Sequence, residues 1–236
     1  GLGDVYKRQI LAVVVMYFKK LWPFCVDNGR DSGLAKHVRW PVMRLWFKII
    51  VACLPAAVLG LALDDWIDAH FYNSVVVAVM LIVYGIAFIL IERRPRVPTT
   101  TKLSRITYRQ ALIVGAWQVL ALIPGTSRSG STIIGGMLCG CSRTAAAEFT
   151  FFLAIPVMFG WGVLKLIKYL MAVGLAMTAT EIAVLVVGIV TAFVVSVISI
   201  KFLMGYIKKN DFTAFGVYRI IVGLVVLAYF GVKVLL

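Results

Sequence analysis

Two runs in this chain leave little choice of solvent. "VVVAVMLIVYGIAFILI" at 75–91 and "IAVLVVGIVTAFVVSVISI" at 182–200 approach or reach the ~20 consecutive apolar residues that carry a helix across a bilayer. The rest of the chain agrees. Of its 236 residues 62% are hydrophobic and 14% charged, whereas a soluble domain is about 45–50% apolar and about 25% charged. The fold expected is an all-α polytopic membrane protein. A net charge of +14 raises nucleic acid as a partner, but the basic residues stand mostly in short loops beside apolar spans. That distribution sets orientation in a bilayer, and the partner it implies is the bilayer.

Charge along the chain gives a topology. Lys19, Lys20, Arg30, Lys36, Arg39, Arg44 and Lys48 outnumber Asp27 and Asp31 in a basic loop and helix entry. The first complete span is expected at 47–63, with Pro55 as a kink, followed by an acidic loop at 64–73 without Lys or Arg. The next span, 74–91, ends in the basic, proline-punctuated 92–109. Basic, acidic, basic across two spans puts 19–40 and 92–109 on the cytoplasmic side and 64–73 outside. Three more spans are expected at 145–170, 181–207 and 212–236, which makes about five full transmembrane helices. Lys165 and Lys168 then fall near the external face, against the charge rule, and snorkelling accommodates them. Residues 1–9 have no apolar stretch of their own and read as junction residues ahead of a single membrane domain at 10–236. Cys25, Cys53, Cys139 and Cys141 show no zinc-type spacing and read as small apolar residues.

Between these spans lies a different pattern. "QALIVGAWQVLALI" is too short to cross alone, breaks at "PGTSRSGST" (124–132), and resumes as "STIIGGMLCG". Two short apolar segments around a Gly/Pro break point to a re-entrant pair, about 110–141, whose tips meet inside the membrane. Such backbone is tolerated at depth only where it lines a cavity or is buried in protein. Pro124 stops the first half-helix. Gly125 and Gly130 allow backbone N–H groups to converge on an anion. A second half-helix starting near Ser129 or Gly130 would aim its amides at the same point. Thr126, Ser127, Ser129, Ser131 and Thr132 add hydroxyls, and Arg128 adds a planar fork for two phosphate oxygens. The cluster reads as a phosphate or diphosphate cradle. Helix packing alone explains Ser131, Gly135, Gly136 and Gly140, the Gly136–Gly140 pair forming a small-residue face. It does not explain an intramembrane arginine. Gln118, before the break, either faces the cavity or bonds a neighbouring helix. Glu148 is either a base or metal ligand, or a carboxylate favoured by its place near a helix start. Arg219 reads as snorkelling to the cytoplasmic interface. His37 and His70 read as loop residues without a role.

The segment "GAWQVLALIPGTSRSGSTIIGGMLCGCSRTAAAEFTFFLAIPVMFG", with "LPAAVLGL", "TYRQAL", "TAFVVSVISIKFL" and "YRIIVG" around it, resembles the undecaprenyl-diphosphate phosphatase family, the bacterial bacitracin-resistance proteins. The resemblance implies a multi-pass inner-membrane hydrolase of inverted-repeat architecture whose site opens to the periplasm. It implies release of one phosphate from a polyprenyl diphosphate lipid with a divalent cation, Mg2+ or Ca2+, recycling the carrier for peptidoglycan synthesis and cell shape. By the same likeness Arg128 and Ser127 are catalytic, and Gly125, Thr126, Ser127, Arg128, Ser129, Gly130 and Thr132 hold the phosphates. The family's E-x-x-x-E segment, followed by proline and a Ser-Ser-Thr-Gly-His run, has no counterpart in these 236 residues. The expectation is an N-terminally truncated member holding the phosphate-binding half of the site, with the metal ligands in the absent part. A homo-oligomer is left open. One alternative is a transporter or flippase that binds a phosphorylated lipid without cleaving it. Another is a type-2 phosphatidate phosphatase, which the lack of a histidine near Ser127 and Arg128 disfavours.

Overall fold

A computed structural model describes residues 17, 21–24, 37–94, 97–173 and 179–235. The expected junction residues 1–9, the span end at 10–20 apart from Tyr17, and Cys25 lie outside them. Among the described residues seven α-helices follow one another: α1 Trp40–Phe71, α2 Ser74–Arg93, α3 Tyr108–Val119, α4 Arg128–Leu138, α5 Arg143–Val173, α6 Ala179–Lys209 and α7 Thr213–Leu235. Among the described residues there is no strand, only two isolated bridges, Phe24 with Val38 and Thr100 with Cys141.

Four windows among the described residues are long and apolar enough to cross a membrane: Trp40–Gly60, Ser74–Arg93, Val190–Lys209 and Thr213–Val232. Their surfaces settle what surrounds them. The α2 window has a mean hydropathy of 2.9, yet only 22% of it is buried within the protein. Val75, Val79, Val83, Ile86 and Leu90 form an exposed stripe at helical spacing, while Ala78, Tyr84, Gly85 and Phe88 face inward. A helix this apolar with its large residues outward is solvated by lipid. The protein is a membrane protein.

Two expectations change here. The acidic segment 64–73 is not a loop, because α1 runs through it to Phe71 and Pro55 does not end the helix. His70 is therefore helical: its Nδ1 lies 2.8 Å from the Trp66 carbonyl one turn back, and the two rings stack at 4.8 Å. Spacing of i and i+4 brings these side chains together and carries the helix past its apolar part. Also, α5 is a 31-residue helix that starts at Arg143; the side chains of Lys165 and Lys168 lie outside the described residues.

The chain forms two compact units, residues 1–46 with 151–205, and 47–150 with 206–236. In the first, Trp46 Nε1 donates to the Leu21 carbonyl at 2.9 Å, and the Tyr17 ring meets Phe152 edge-on. The second unit carries the re-entrant segment. There α2 and α7 run antiparallel in close contact, since a Cβ on Gly85 would stand 2.6 Å from the Gly216 carbonyl and one on Gly223 2.8 Å from that of Ala78. Small residues let two backbones approach this far in lipid, where packing rather than hydrophobic exclusion drives association.

Candidate functional site

The re-entrant segment is a helical hairpin, α3 and α4, closed at its base and open at its tip. At the base, Thr107 Oγ1 accepts from Gln110 N at 3.2 Å while Gln110 Oε1 accepts from Thr107 N at 3.0 Å, a reciprocal cap on α3. The same Gln110 sends Nε2 to the Cys139 carbonyl at 3.0 Å and to Thr100 Oγ1 at 3.1 Å. The amides of Thr99 and Thr100 donate to the Gly140 carbonyl at 3.0 and 3.1 Å. Both ends of the hairpin are thus tied to one strip of backbone, so it enters and leaves on the same side. Gly140, read from sequence as helix packing, instead ends α4 with φ +93°, while Gly136 does pack, against Ala146 of α5.

At the tip, α3 gives way to a 3-10 turn at Leu120–Leu122. The chain then turns through Pro124 and Gly125. Gly125 has φ +86°, and a Cβ there would press on Val77 of α2. Only glycine takes this conformation without strain at so close an approach. The second half-helix starts at Arg128, a residue earlier than the sequence suggested, because Ser127 is its N-cap: Ser127 Oγ accepts from Gly130 N at 3.1 Å.

The cap sorts the hydroxyls. Ser127 and Ser129 lie at the mouth of the turn with their oxygens 3.1 Å apart. Positions Arg128 and Ser129 are the first two of the helix, whose amides have no intrahelical acceptor. Ser131 is fully buried and donates to the Tyr84 hydroxyl at 3.0 Å. Thr132 is buried too: its hydroxyl donates back to the carbonyls of Arg128 and Ser129, and accepts from Thr150 of α5 at 2.9 Å. Thr132 therefore fixes the first turn of α4 from behind. Gln118 Oε1 and Thr126 Oγ1 are buried with no hydrogen-bond partner among the described residues, a costly state that suits a polar cavity. Ala146 and Thr150 face α4, and Glu148 stands about 200° around the helix from each, which puts it on another face.

A second cation was missed by sequence reasoning. Arg219 does not snorkel outward. Its Nη2 donates to the Gly125 carbonyl at 2.9 Å, its guanidinium carbon stands 5.8 Å from the centre of the Tyr84 ring, and its Nε is buried with no hydrogen-bond partner among the described residues. The only sequence signal was an arginine inside an otherwise apolar span.

The Arg219 guanidinium, the capped amides at the start of α4 and the paired serines bring positive potential and hydrogen-bond donors to the turn of a lipid-facing protein, and Arg128 stands at the first position of α4. Such a set fits a phosphate group. It does not fit the divalent cation implied by the family resemblance: no three His, Cys, Asp or Glu come together among the described residues, and the neighbours of Gly125 and Gly130 are Val77, Phe88, Ser127 and Arg219, none of them a carboxylate.

With this geometry in hand, similarity to known proteins decides the family. The family described as bacitracin resistance protein BacA matches residues 8–225. The chain belongs to the BacA family. It is 56% identical over 222 residues to an undecaprenyl-diphosphatase of Enterococcus faecalis, covering 93% of this chain and 78% of that one. It is 56% identical over 233 residues to the undecaprenyl-diphosphatase of Desulfitobacterium hafniense, covering 96% and 79%. The undecaprenyl-diphosphatase of Streptococcus thermophilus is 52% identical over 228 residues, with 96% and 77% covered. The BacA match takes in the whole hairpin, Arg128 and Arg219.

Proposed function

We propose that this chain hydrolyses undecaprenyl diphosphate to undecaprenyl phosphate and inorganic phosphate at the tip of the α3–α4 hairpin. The observation that carries the reading is Arg128 at the first position of α4, directly after the Ser127 cap, in a chain 56% identical to a protein named for this reaction. Water adds to the terminal phosphorus, the bridging P–O bond breaks, and the lipid monophosphate leaves with the bridging oxygen. Negative charge gathers on the non-bridging oxygens and on that leaving oxygen. Arg128 faces this charge with a bidentate fork, and the amides at the start of α4 add fixed dipoles. Ser127 and Ser129 orient the phosphate oxygens, with Gly125, Thr126 and Gly130 shaping the turn and Thr132 bracing it. Arg219 holds the turn by the Gly125 carbonyl and adds positive potential. No step is assigned to a metal.

The protein sits in the bacterial plasma membrane with the hairpin tip near the external side. Support for this comes from Gly125 packing on Val77, one turn from the external start of α2 as the charge pattern orients it. Its product re-enters the carrier pool for cell-wall synthesis, which matches the bacitracin-resistance description of the family.

Phosphate release from undecaprenyl diphosphate in detergent tests the proposal, with and without Mg2+ or Ca2+. It is run on this chain and on the chain preceded by the family's E-x-x-x-E segment. Release in either one, lowered ~10²–10³-fold by Arg128→Ala, is expected for loss of a principal charge-stabilising donor. Binding of intact diphosphate with no release from either would replace hydrolysis with carriage.

A further inference from the structure

The second unit has a cavity at the opposite end of α2 from the hairpin tip. Val77, which meets Gly125, and Ile91, which lines this cavity, are 14 residues apart, about 21 Å along the helix. The cavity measures about 430 Å³. Ile91, Met137 and Ile207 give it an apolar side, and Arg94, Arg143 and Lys208 give it three cations. The one carboxylate, Glu92, has its side chain almost fully buried and already engaged: Arg143 Nε lies 3.0 Å from each of its oxygens, Arg143 Nη2 also donates to it, and the Phe212 amide donates at 3.1 Å. Asp211 stands close enough to act on Arg143 as well, so three cations face Glu92 and Asp211 and the cavity keeps a net positive charge. Ser142 and Thr144 add hydroxyls at the wall.

We infer that this cavity binds a phosphate-bearing anion, and that its occupant is the headgroup of an anionic phospholipid. The volume lies within the range of small-ligand sites. Cations beside apolar residues at the ends of membrane helices match a charged headgroup with its first methylenes below it. A soluble phosphate compound shares the headgroup chemistry but has no use for the apolar wall. The site is separate from the hydrolytic reading and does not depend on it.

The test is native mass spectrometry of the full chain in neutral detergent, with phosphatidylglycerol or phosphatidylcholine added and inorganic phosphate as a third probe. One phosphatidylglycerol is expected to stay bound where phosphatidylcholine does not. Arg94→Gln with Lys208→Gln should weaken retention roughly 25-fold, about fivefold for each cation removed. Lys102→Gln with Arg105→Gln removes two exposed cations of the same connection outside the cavity and should leave retention intact, as should Arg128→Ala. Equal loss in the two double variants, or none in the first, overturns the proposal. Inorganic phosphate that expels the lipid in an Arg94- and Lys208-dependent manner would make the occupant a soluble phosphate compound. Lipid that phosphate does not expel confirms the headgroup.

Discussion

Ser127 does two jobs that one substitution can separate. As N-cap it satisfies Gly130 N, and in the proposed site its hydroxyl, 3.1 Å from that of Ser129, orients phosphate oxygens. Asparagine caps about as well as serine, whereas alanine loses about 1 kcal/mol. Ser127→Asn should therefore keep the thermal midpoint in detergent, and Ser127→Ala should lower it. Both should release phosphate at least roughly tenfold more slowly, since neither restores the serine hydroxyl in a site that works by positioning. Unchanged turnover in Ser127→Asn would reduce Ser127 to a cap. Arg219 gives a second prediction. Arg219→Met keeps the bulk but frees the Gly125 carbonyl and removes a charge; turnover should fall ~10–100-fold, with Arg219→Lys recovering only part, because a single ammonium cannot copy the fork. Arg128 stands out as a candidate in the sequence because no packing role suits an arginine inside an apolar run. Arg219 does not, because the sequence places it near a helix start, where snorkelling is a sufficient account. Only the antiparallel packing of α7 on α2 brings it to Gly125. Thr132 shows the converse: composition put its hydroxyl with the others, and one turn of helix puts it behind them.

Helix contacts are the next scale, and here glycine positions predict opposite outcomes. A Cβ on Gly85 would meet the Gly216 carbonyl at 2.6 Å and Ile220 at 2.7 Å, while one on Gly231 of α7 meets nothing within 4 Å. Gly85→Ala should destabilise by about 1–3 kcal/mol through overpacking and slow turnover, because forcing α7 from α2 carries Arg219 with it. Gly231→Ala should be neutral or gain up to ~1 kcal/mol from helix propensity. Thermal unfolding of both in the same detergent separates contact from composition. The hairpin was legible as an element, since two apolar segments too short to span flank a Pro-Gly break. Its boundaries were less so: α4 starts a residue early because Ser127 caps it, and α3 starts at Tyr108 because Thr107 and Gln110 close a reciprocal cap. The length of α1 was the larger miss. Acidic residues at 64–68 mark the end of the apolar span and not the end of the helix, and an aqueous extension has its own local bonds, as Trp66 and His70 show.

For the second unit as a whole, the backbone fixes which connections share a side, and charge then says which side it is. Thr99 and Thr100 bond to Gly140, Glu92 pairs with Arg143, and the Phe212 amide donates to Glu92. The connections after α2, α4 and α6 therefore meet at one end, while the α1–α2 connection at Tyr72 lies at the other end of α2. The shared end holds Arg93, Arg94, Lys102, Arg105, Arg109, Arg143, Lys208 and Lys209 against Glu92 and Asp211, and the other end follows Asp64, Asp65 and Asp68. By the charge rule, the proposed orientation puts the shared end in the cytoplasm. Tyr72 and Val97 are 71% and 92% exposed, which suits them as probes. Cysteine at Tyr72 should react with an impermeant maleimide in intact cells, and cysteine at Val97 only after the membrane is opened, each read against the parent chain's own thiols. The reverse pattern would turn the hairpin tip toward the cytoplasm and require a substrate approaching from that leaflet. Labelling of both in intact cells would mean that the chain inserts in two orientations. Orientation thus decides more than topology, because a diphosphate too polar to cross the bilayer reaches the proposed site only from the leaflet nearer the hairpin tip.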